Sequence, residues 1–266
     1  MKRKMSMTVI MYAVLVFFLL IWIFPIWTAV SKSFNINGFG NYATVINNPD
    51  VHYFRVVFNS FFISISTSVI VVFITSLGGF SFSKMPFRGS KIIYLLLLAC
   101  MAVPVASVTM PLFFTIKAFG LTNTYLGMIL PMVAFNALQM LLLWKNYFDG
   151  LPDEIIEAAE VDGAGTFRIY SRILMPLSVP MIATTGVLTF VYSWNEYLIP
   201  LLIVRDETKY PVTLASTYFM ETRSQTPEMV AQMYAALILM TIPSVIVYLI
   251  SQRWLQSGIT AGAVKS

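Results

Sequence analysis

Long apolar runs separated by short polar stretches account for almost the whole chain. Six runs can be drawn, at about 9–31, 59–80, 92–116, 125–144, 177–203 and 231–252. Each is close to the ~20 residues a helix needs to cross a hydrocarbon core. A helix satisfies its own backbone N–H and C=O groups in lipid, so each run predicts a membrane-spanning helix. Pro25, Pro104, Pro111, Pro131, Pro180 and Pro243 lie inside the runs and predict kinks, which neighbouring helices can accommodate. The first run follows Lys2-Arg3-Lys4, as a signal peptide would, but it is too long for an h-region and ends without a small-residue cleavage site. It is expected to stay as the first span. No heptad register and no internal repeat is visible, and the loops are too small to fold alone.

Composition agrees with this pattern. Of 266 residues, 58% are hydrophobic and 11% charged, and the mean hydropathy is +0.78; soluble domains run nearer a quarter charged. The net charge of +5 does not mark a nucleic-acid face, because the lysines and arginines sit at the ends of the apolar runs. With both termini on one side, that side holds eleven of the seventeen basic residues and the other six. The positive-inside rule then places both termini in the cytoplasm, with the loops at 32–58 and 204–230 facing outward. The expected division is an N-terminal anchor helix and first outer loop (1–58), a core (59–253) and a cytoplasmic tail (254–266). One cysteine, Cys100, leaves no disulfide framework or cysteine metal site within the chain, and one histidine, His52 in a polar loop, disfavours metal catalysis, a Ser-His-Asp triad and a histidine proton relay. No metal site and no catalytic residue is expected.

The polar stretches are unequal. Six of the twelve acidic residues fall between Asp149 and Asp162. Leu151-Pro152 is suited to starting a helix, and Asp153 and Glu154 in its first turn favour the dipole. Asp153, Glu157 and Glu160 form one acidic stripe at i, i+4 and i+7, Ala158-Ala159 keeps part of the surface small, and Gly163 and Gly165 suit a helix end. A second short helix is expected to carry Arg168 and Arg172 toward the membrane surface and to end at Pro176. The pattern alone fits a docking element on the cytoplasmic side or a solvated loop with capping glycines.

Glu157-Ala158-Ala159, three residues, Gly163, nine residues, Ile173, one residue, then Met175-Pro176 resembles the EAA loop of ABC importer permeases. The family pattern ends Ile-x-Leu-Pro, so Met175 is a conservative departure. Leu121-Thr122-Asn123-Thr124-Tyr125-Leu126-Gly127, Ser193-Trp194-Asn195-Glu196-Tyr197 and Gly258 to Lys265 resemble the carbohydrate-uptake branch, as do Asn41-Tyr42, Asn59-Ser60 and Phe87-Arg88-Gly89. Nearly the whole chain is thus similar to six-helix permeases such as the MalG subunit of the maltose importer. The resemblance implies an all-α integral membrane protein with the type I ABC importer permease fold, multi-pass in the inner membrane of a prokaryote. It implies a coupling (EAA) loop at about 149–176 seated on an ATPase subunit, with Glu157, Ala158, Ala159, Asp162, Gly163, Ile173 and Pro176 as its contacts.

The implied partners are two ATP-binding cassette ATPases, a second permease in a heteromeric pair, an extracytoplasmic solute-binding protein and membrane lipid. The chain has no G-x-x-x-x-G-K-[ST] loop, so ATP and Mg would be bound by the partner ATPases and no cofactor by this chain. Trp194, Asn195 and Glu196 interrupt an apolar run; they suit a sugar pathway, interhelical bonding or a helix end. Thr217, Tyr218, Phe219, Met220, Glu221 and Thr222 lie in an outward loop that the resemblance turns toward the binding protein, although a solvated connector fits too. Gly258, Ala261 and Gly262 belong to a tail that is either a frayed terminus or a contact with the ATPases. Rival classes are a permease for glycerol phosphate, amino acids or polyamines, a proton- or ion-coupled carrier and a membrane enzyme. A carrier usually needs several intramembrane acids or histidines, and Glu196 is nearly alone.

Overall fold

The computed structural model describes residues 2–220 and 226–263. Among them the elements are α1 (Lys2–Ser33), α2 (Gly40–Ile46), α3 (Tyr53–Lys84), α4 (Ser90–Cys100), α5 (Val105–Ala118), α6 (Tyr125–Asp149), α7 (Glu154–Val161), α8 (Thr166–Leu177), α9 (Val179–Trp194), α10 (Leu198–Ile203) and α11 (Pro227–Ala263), with short turns besides. Four helices are long and apolar enough to cross a membrane unbroken: Ile10–Ser33 of α1, Tyr53–Lys84, Tyr125–Asp149 and Pro227–Trp254 of α11. Counting the bent pairs α4–α5 and α8–α9 as one span each gives six.

The prolines do not act alike. Helices α1, α6 and α11 run through Pro25, Pro131 and Pro243. The run expected at 92–116, by contrast, is broken between Cys100 and Val105 by a bend of 101°. Pro104 is extended there (φ −62°, ψ 131°), and α4 winds down through tight i→i+3 bonds from Ala102 and Val103. The run expected at 177–203 is broken twice. A 77° bend separates α8 from α9, where the buried Ser178 turns both its N–H and its hydroxyl onto the Leu174 carbonyl. A second break falls at Asn195–Tyr197. Pro200 has no N–H for the Glu196 carbonyl one turn back; the Thr213 hydroxyl bonds that carbonyl at 2.7 Å instead.

The backbone divides into two units, Met1–Phe54 with Ala215–Ile242 and Arg55–Leu214 with Pro243–Ser266. In the first, Asn41 is fully buried and donates to the Ser33 and Asn35 carbonyls at 2.9 Å each, fixing the turn after α1. Lys32 lies over the Tyr234 ring, and Tyr53 donates to the Leu239 carbonyl. From Ile10 to Trp27, α1 is exposed on every face.

The second unit is organised by close approach of α3 and α6. A Cβ at Gly79 would lie 2.6 Å from Trp144 Cβ and 2.9 Å from its carbonyl carbon. Only glycine lets the two helices touch here, and Trp144, Phe148, Phe80, Tyr147, Tyr170 and Leu174 fill the space beside the contact. A second cluster lies between α3, α5, α6 and α10, around Ile63, Val71, Met128, Met132 and Ile199. Asn59 ties it to the 204–214 segment, giving its amide to the Thr208 and Tyr210 carbonyls and accepting from Tyr125 at 2.8 Å. Asn123 completes the tie from a left-handed conformation (φ 60°), its side-chain Oδ1 accepting from the Arg205 and Asp206 backbone amides.

Replacing Gly79 by valine forces α3 from α6, and overpacking of this kind costs about 1–3 kcal/mol. The midpoint of denaturant unfolding in detergent is expected to fall accordingly. Gly165→Ala, where an added Cβ meets nothing within 4 Å, is expected to stay within about 0.5 kcal/mol of the parent.

Candidate functional site

The acidic segment folds as a two-turn helix held by charged and aromatic groups behind it. Pro152 precedes α7, but Asp153 makes no cap bond. Its carboxylate reaches Lys84 Nζ, at the end of α3, at 2.5 Å. The same ammonium donates to the Leu151 carbonyl at 2.8 Å, and its side chain is only 7% exposed. One turn earlier Asp149 takes Ser83 Oγ and Lys145 Nζ at 2.6 Å each. Two carboxylates therefore stitch the end of α3 to the end of α6 and the start of α7. Sequence reading missed Lys84 because its partners are 67 and 69 residues away.

α7 has two faces. Ala159 is buried against the aromatic cluster with Ile156 beside it, so the small size of Ala159 serves the chain's own packing. Glu154, Glu157, Ala158, Glu160 and Asp162 face outward. Gly163 ends the helix at φ +76°, and an added Cβ there would meet no atom within 4 Å. Its constraint is therefore conformational, because a side chain in the left-handed region costs roughly 1–2 kcal/mol. Two large apolar side chains flank the acids: Val161 is 88% exposed and Phe167 76%. They were legible as apolar residues inside a polar island, but nothing local said they would protrude.

Behind the loop, residues Ile169–Leu174 of α8 form a π turn, and Ile169, Tyr170 and Leu174 are buried. The Tyr170 hydroxyl meets Ser76 Oγ of α3 at 2.8 Å. Ile173 packs on the aromatic cluster, whereas Pro176 is exposed. The helix expected to stop at Pro176 continues to Leu177. The wider π turn moves the preceding carbonyls off the proline ring, which would clash with an α-helical one.

The residues at the second break separate. Trp194 is 2% exposed, edge-on to Phe61 and stacked on Phe190, and lies in the core. Asn195 and Glu196 line an open cavity of about 600 Å³, together with Tyr192, with Asn136 and Gln139 of α6, and with the α4–α5 break. Met132, Phe135 and Ile199 are its apolar walls. Glu196 Oε1 accepts the Leu198 and Ile199 amides at 2.8 and 3.1 Å and so caps α10.

In the loop between α10 and α11, Tyr218 and Met220 are exposed and Phe219 is buried. Tyr218 donates to Asp50 at 2.7 Å, and holding that proton beside a carboxylate raises its pKa above the ordinary phenol value. Thr217 lies in the same turn, while Glu221 and Thr222 fall outside the described residues. In the 204–214 segment, hydrogen bonds from Lys209 and then Thr208 hold the Asp206 carboxyl down at about 2. Gly258, Ala261 and Gly262 lie on the last turns of α11. Among the described residues no cluster of His, Cys, Asp and Glu could hold a metal ion.

Comparison with known proteins gives a consistent result. The trehalose/maltose transport system permease protein MalG of Thermococcus litoralis is 32% identical over 225 residues, 85% of this chain and 80% of that protein. The diacetylchitobiose uptake system permease protein NgcG of Streptomyces coelicolor is 28% identical over 85% of this chain and 74% of that protein. A chain from a bacterial ABC transporter involved in the import of the acidic polysaccharide alginate shares the fold. Its TM-score is 0.79 at 23% identity, covering 95% of this chain and 98% of that one. Residues 76–261 match the binding-protein-dependent transport system inner membrane components, and this multi-pass chain belongs to that family as a transport subunit rather than an enzyme.

Proposed function

We propose that this chain is one permease of an ATP-driven sugar importer, and that α7 is where partner ATPases act on it. The observation that carries the reading is the outward face of α7. Glu154, Glu157 and Glu160 stand beside Val161 and Phe167, and none of these groups is needed for the chain's own core. Charges rimming protruding apolar anchors are the composition of a docking surface. Glu157, Ala158, Asp162 and Gly163 would meet a cytoplasmic ATPase that binds ATP and Mg, with Ala159, Ile173 and Pro176 shaping the loop from behind.

Closure of two ATPases would draw two such loops together. Lys84 and the π turn would pass the displacement to α3 and α8, opening the cavity at Asn195 and Glu196 alternately to each side. Support for a second permease comes from the family alone, and a heteromeric pair is the reading; the apolar surface of α1 from Ile10 to Trp27, exposed in the single chain, suits membrane lipid. Support for a sugar comes from the relatives' sugar cargoes and from the amide-lined cavity. The basic-residue distribution supports cytoplasmic termini in a prokaryotic inner membrane. Tyr218 and Met220, with Thr217 and Phe219 beside them, are the proposed contact for an extracytoplasmic binding protein, and the last turns of α11 at Gly258, Ala261 and Gly262 a second contact for the ATPases.

In the assembled complex, Glu157→Arg and Gly163→Asp are each expected to cut ATP-dependent uptake at least about tenfold, corresponding to ~1.4 kcal/mol of docking. Both chains should still purify folded; wild-type uptake in both would refute the reading. Lys84→Met removes a charge-assisted bond and orphans the Leu151 carbonyl, a loss of about 1–3 kcal/mol. Hydrogen exchange of the α7 amides should accelerate about 10- to 100-fold, and uptake per ATP should fall while the subunits still co-purify.

A further inference from the structure

The cavity between α6, the α4–α5 break and the α9–α10 break carries information about cargo that the docking face does not. Asn136 gives its Nδ2 to the Met132 carbonyl at 2.8 Å, and Asn195 gives its Nδ2 to the Val191 carbonyl at 2.8 Å. These bonds fix the orientation of both amides, since a flipped amide would set oxygen against oxygen. Each therefore offers a guest its Oδ1 and the second N–H of its Nδ2. Glu196 spends Oε1 on two backbone amides and keeps Oε2. Three uncommitted acceptors thus belong to residues lining one space, beside neutral side-chain donors from Asn136, Asn195, Gln139 and Tyr192. Glu196 is the one charged side chain among the described residues lining it.

From this single carboxylate, set among neutral polar groups with no lysine or arginine in the lining, and building on the transport reading above, we infer that the cavity selects electroneutral, hydroxyl-rich solutes and rejects phosphorylated or carboxylated ones. A sugar hydroxyl can donate to Asn136, Asn195 and Glu196, while the exposed Tyr192 ring offers a face for its C–H surface. A phosphate or carboxylate brings only acceptors. It wants arginine or lysine, and here it meets neutral amides and a like charge, with no cation in the lining to offset the repulsion. Among the described residues no lysine or arginine lines the cavity.

Cys100, the chain's single cysteine, is exposed on the same cavity wall and provides the readout. In the assembled transporter in lipid nanodiscs, its modification by a trimethylammonium-ethyl and by a sulfonatoethyl methanethiosulfonate is followed by peptide mass spectrometry. Glu196→Gln keeps an oxygen for the Leu198 and Ile199 amides, so α10 stays capped. It is expected to lower the ratio of the cationic to the anionic rate about tenfold; an unchanged ratio overturns the inference. In the wild-type complex, maltose and cellobiose are tested against glucuronate and galacturonate for protecting Cys100 from a neutral methyl reagent. Protection by a neutral sugar supports the inference, and protection by the uronates alone overturns it. ATP-dependent uptake of an anionic solute would leave the transporter reading standing and remove only this one. A chain that purifies without an ATPase would remove that reading, while the Cys100 rates would still report the sign of the cavity.

Discussion

Every backbone donor and acceptor that lies within a bilayer must find a partner in the protein, and that constraint governs this chain wherever a helix is interrupted. Each break carries its own settlement. At Ser178 a buried hydroxyl and an amide share one carbonyl. At Glu196 a carboxylate caps α10, and a threonine 17 residues on takes the carbonyl that Pro200 leaves free. Beyond Ile203 the chain is held by Asn123 in a left-handed conformation and by the buried amide of Asn59. The cavity residues Asn195 and Glu196 are where they are because a helix ends there.

This explains why some of the architecture was legible in the sequence and some was not. Six apolar runs predict six crossings, and hydrophobic length alone is enough for that. Whether a proline bends a helix or breaks it depends on what lies opposite. Pro131 is followed by uninterrupted helix, while Pro104 sits at a bend of 101°. No local pattern separates the two. The π turn at Ile169–Leu174 was equally hidden: its Tyr170 hydroxyl meets Ser76, a partner 94 residues away that no local pattern points to.

The acidic helix divides along the same line. Pro152, the i, i+4, i+7 acids and Gly163 are local signals, and α7 lies where they put it. The inward turn of Ala159, the protrusion of Val161 and Phe167, and the role of Lys84 arise from the aromatic cluster built by α3 and α6. Trp194 is the converse case. It sits in a polar-interrupted stretch of sequence, yet Phe61 and Phe190 enclose it and leave the cavity to its two neighbours.

Lys84 and Glu157 also differ in how they answer to ions. The Lys84 ammonium is almost enclosed, and one of its two bonds goes to an uncharged oxygen, so mobile counterions reach it poorly. Glu157 stands in open water, where the Debye length shrinks from ~10 Å at 0.1 M to ~3 Å at 1 M. Concentrated electrolyte would therefore strip whatever sits on the outer face of α7 well before it loosened the strut behind it.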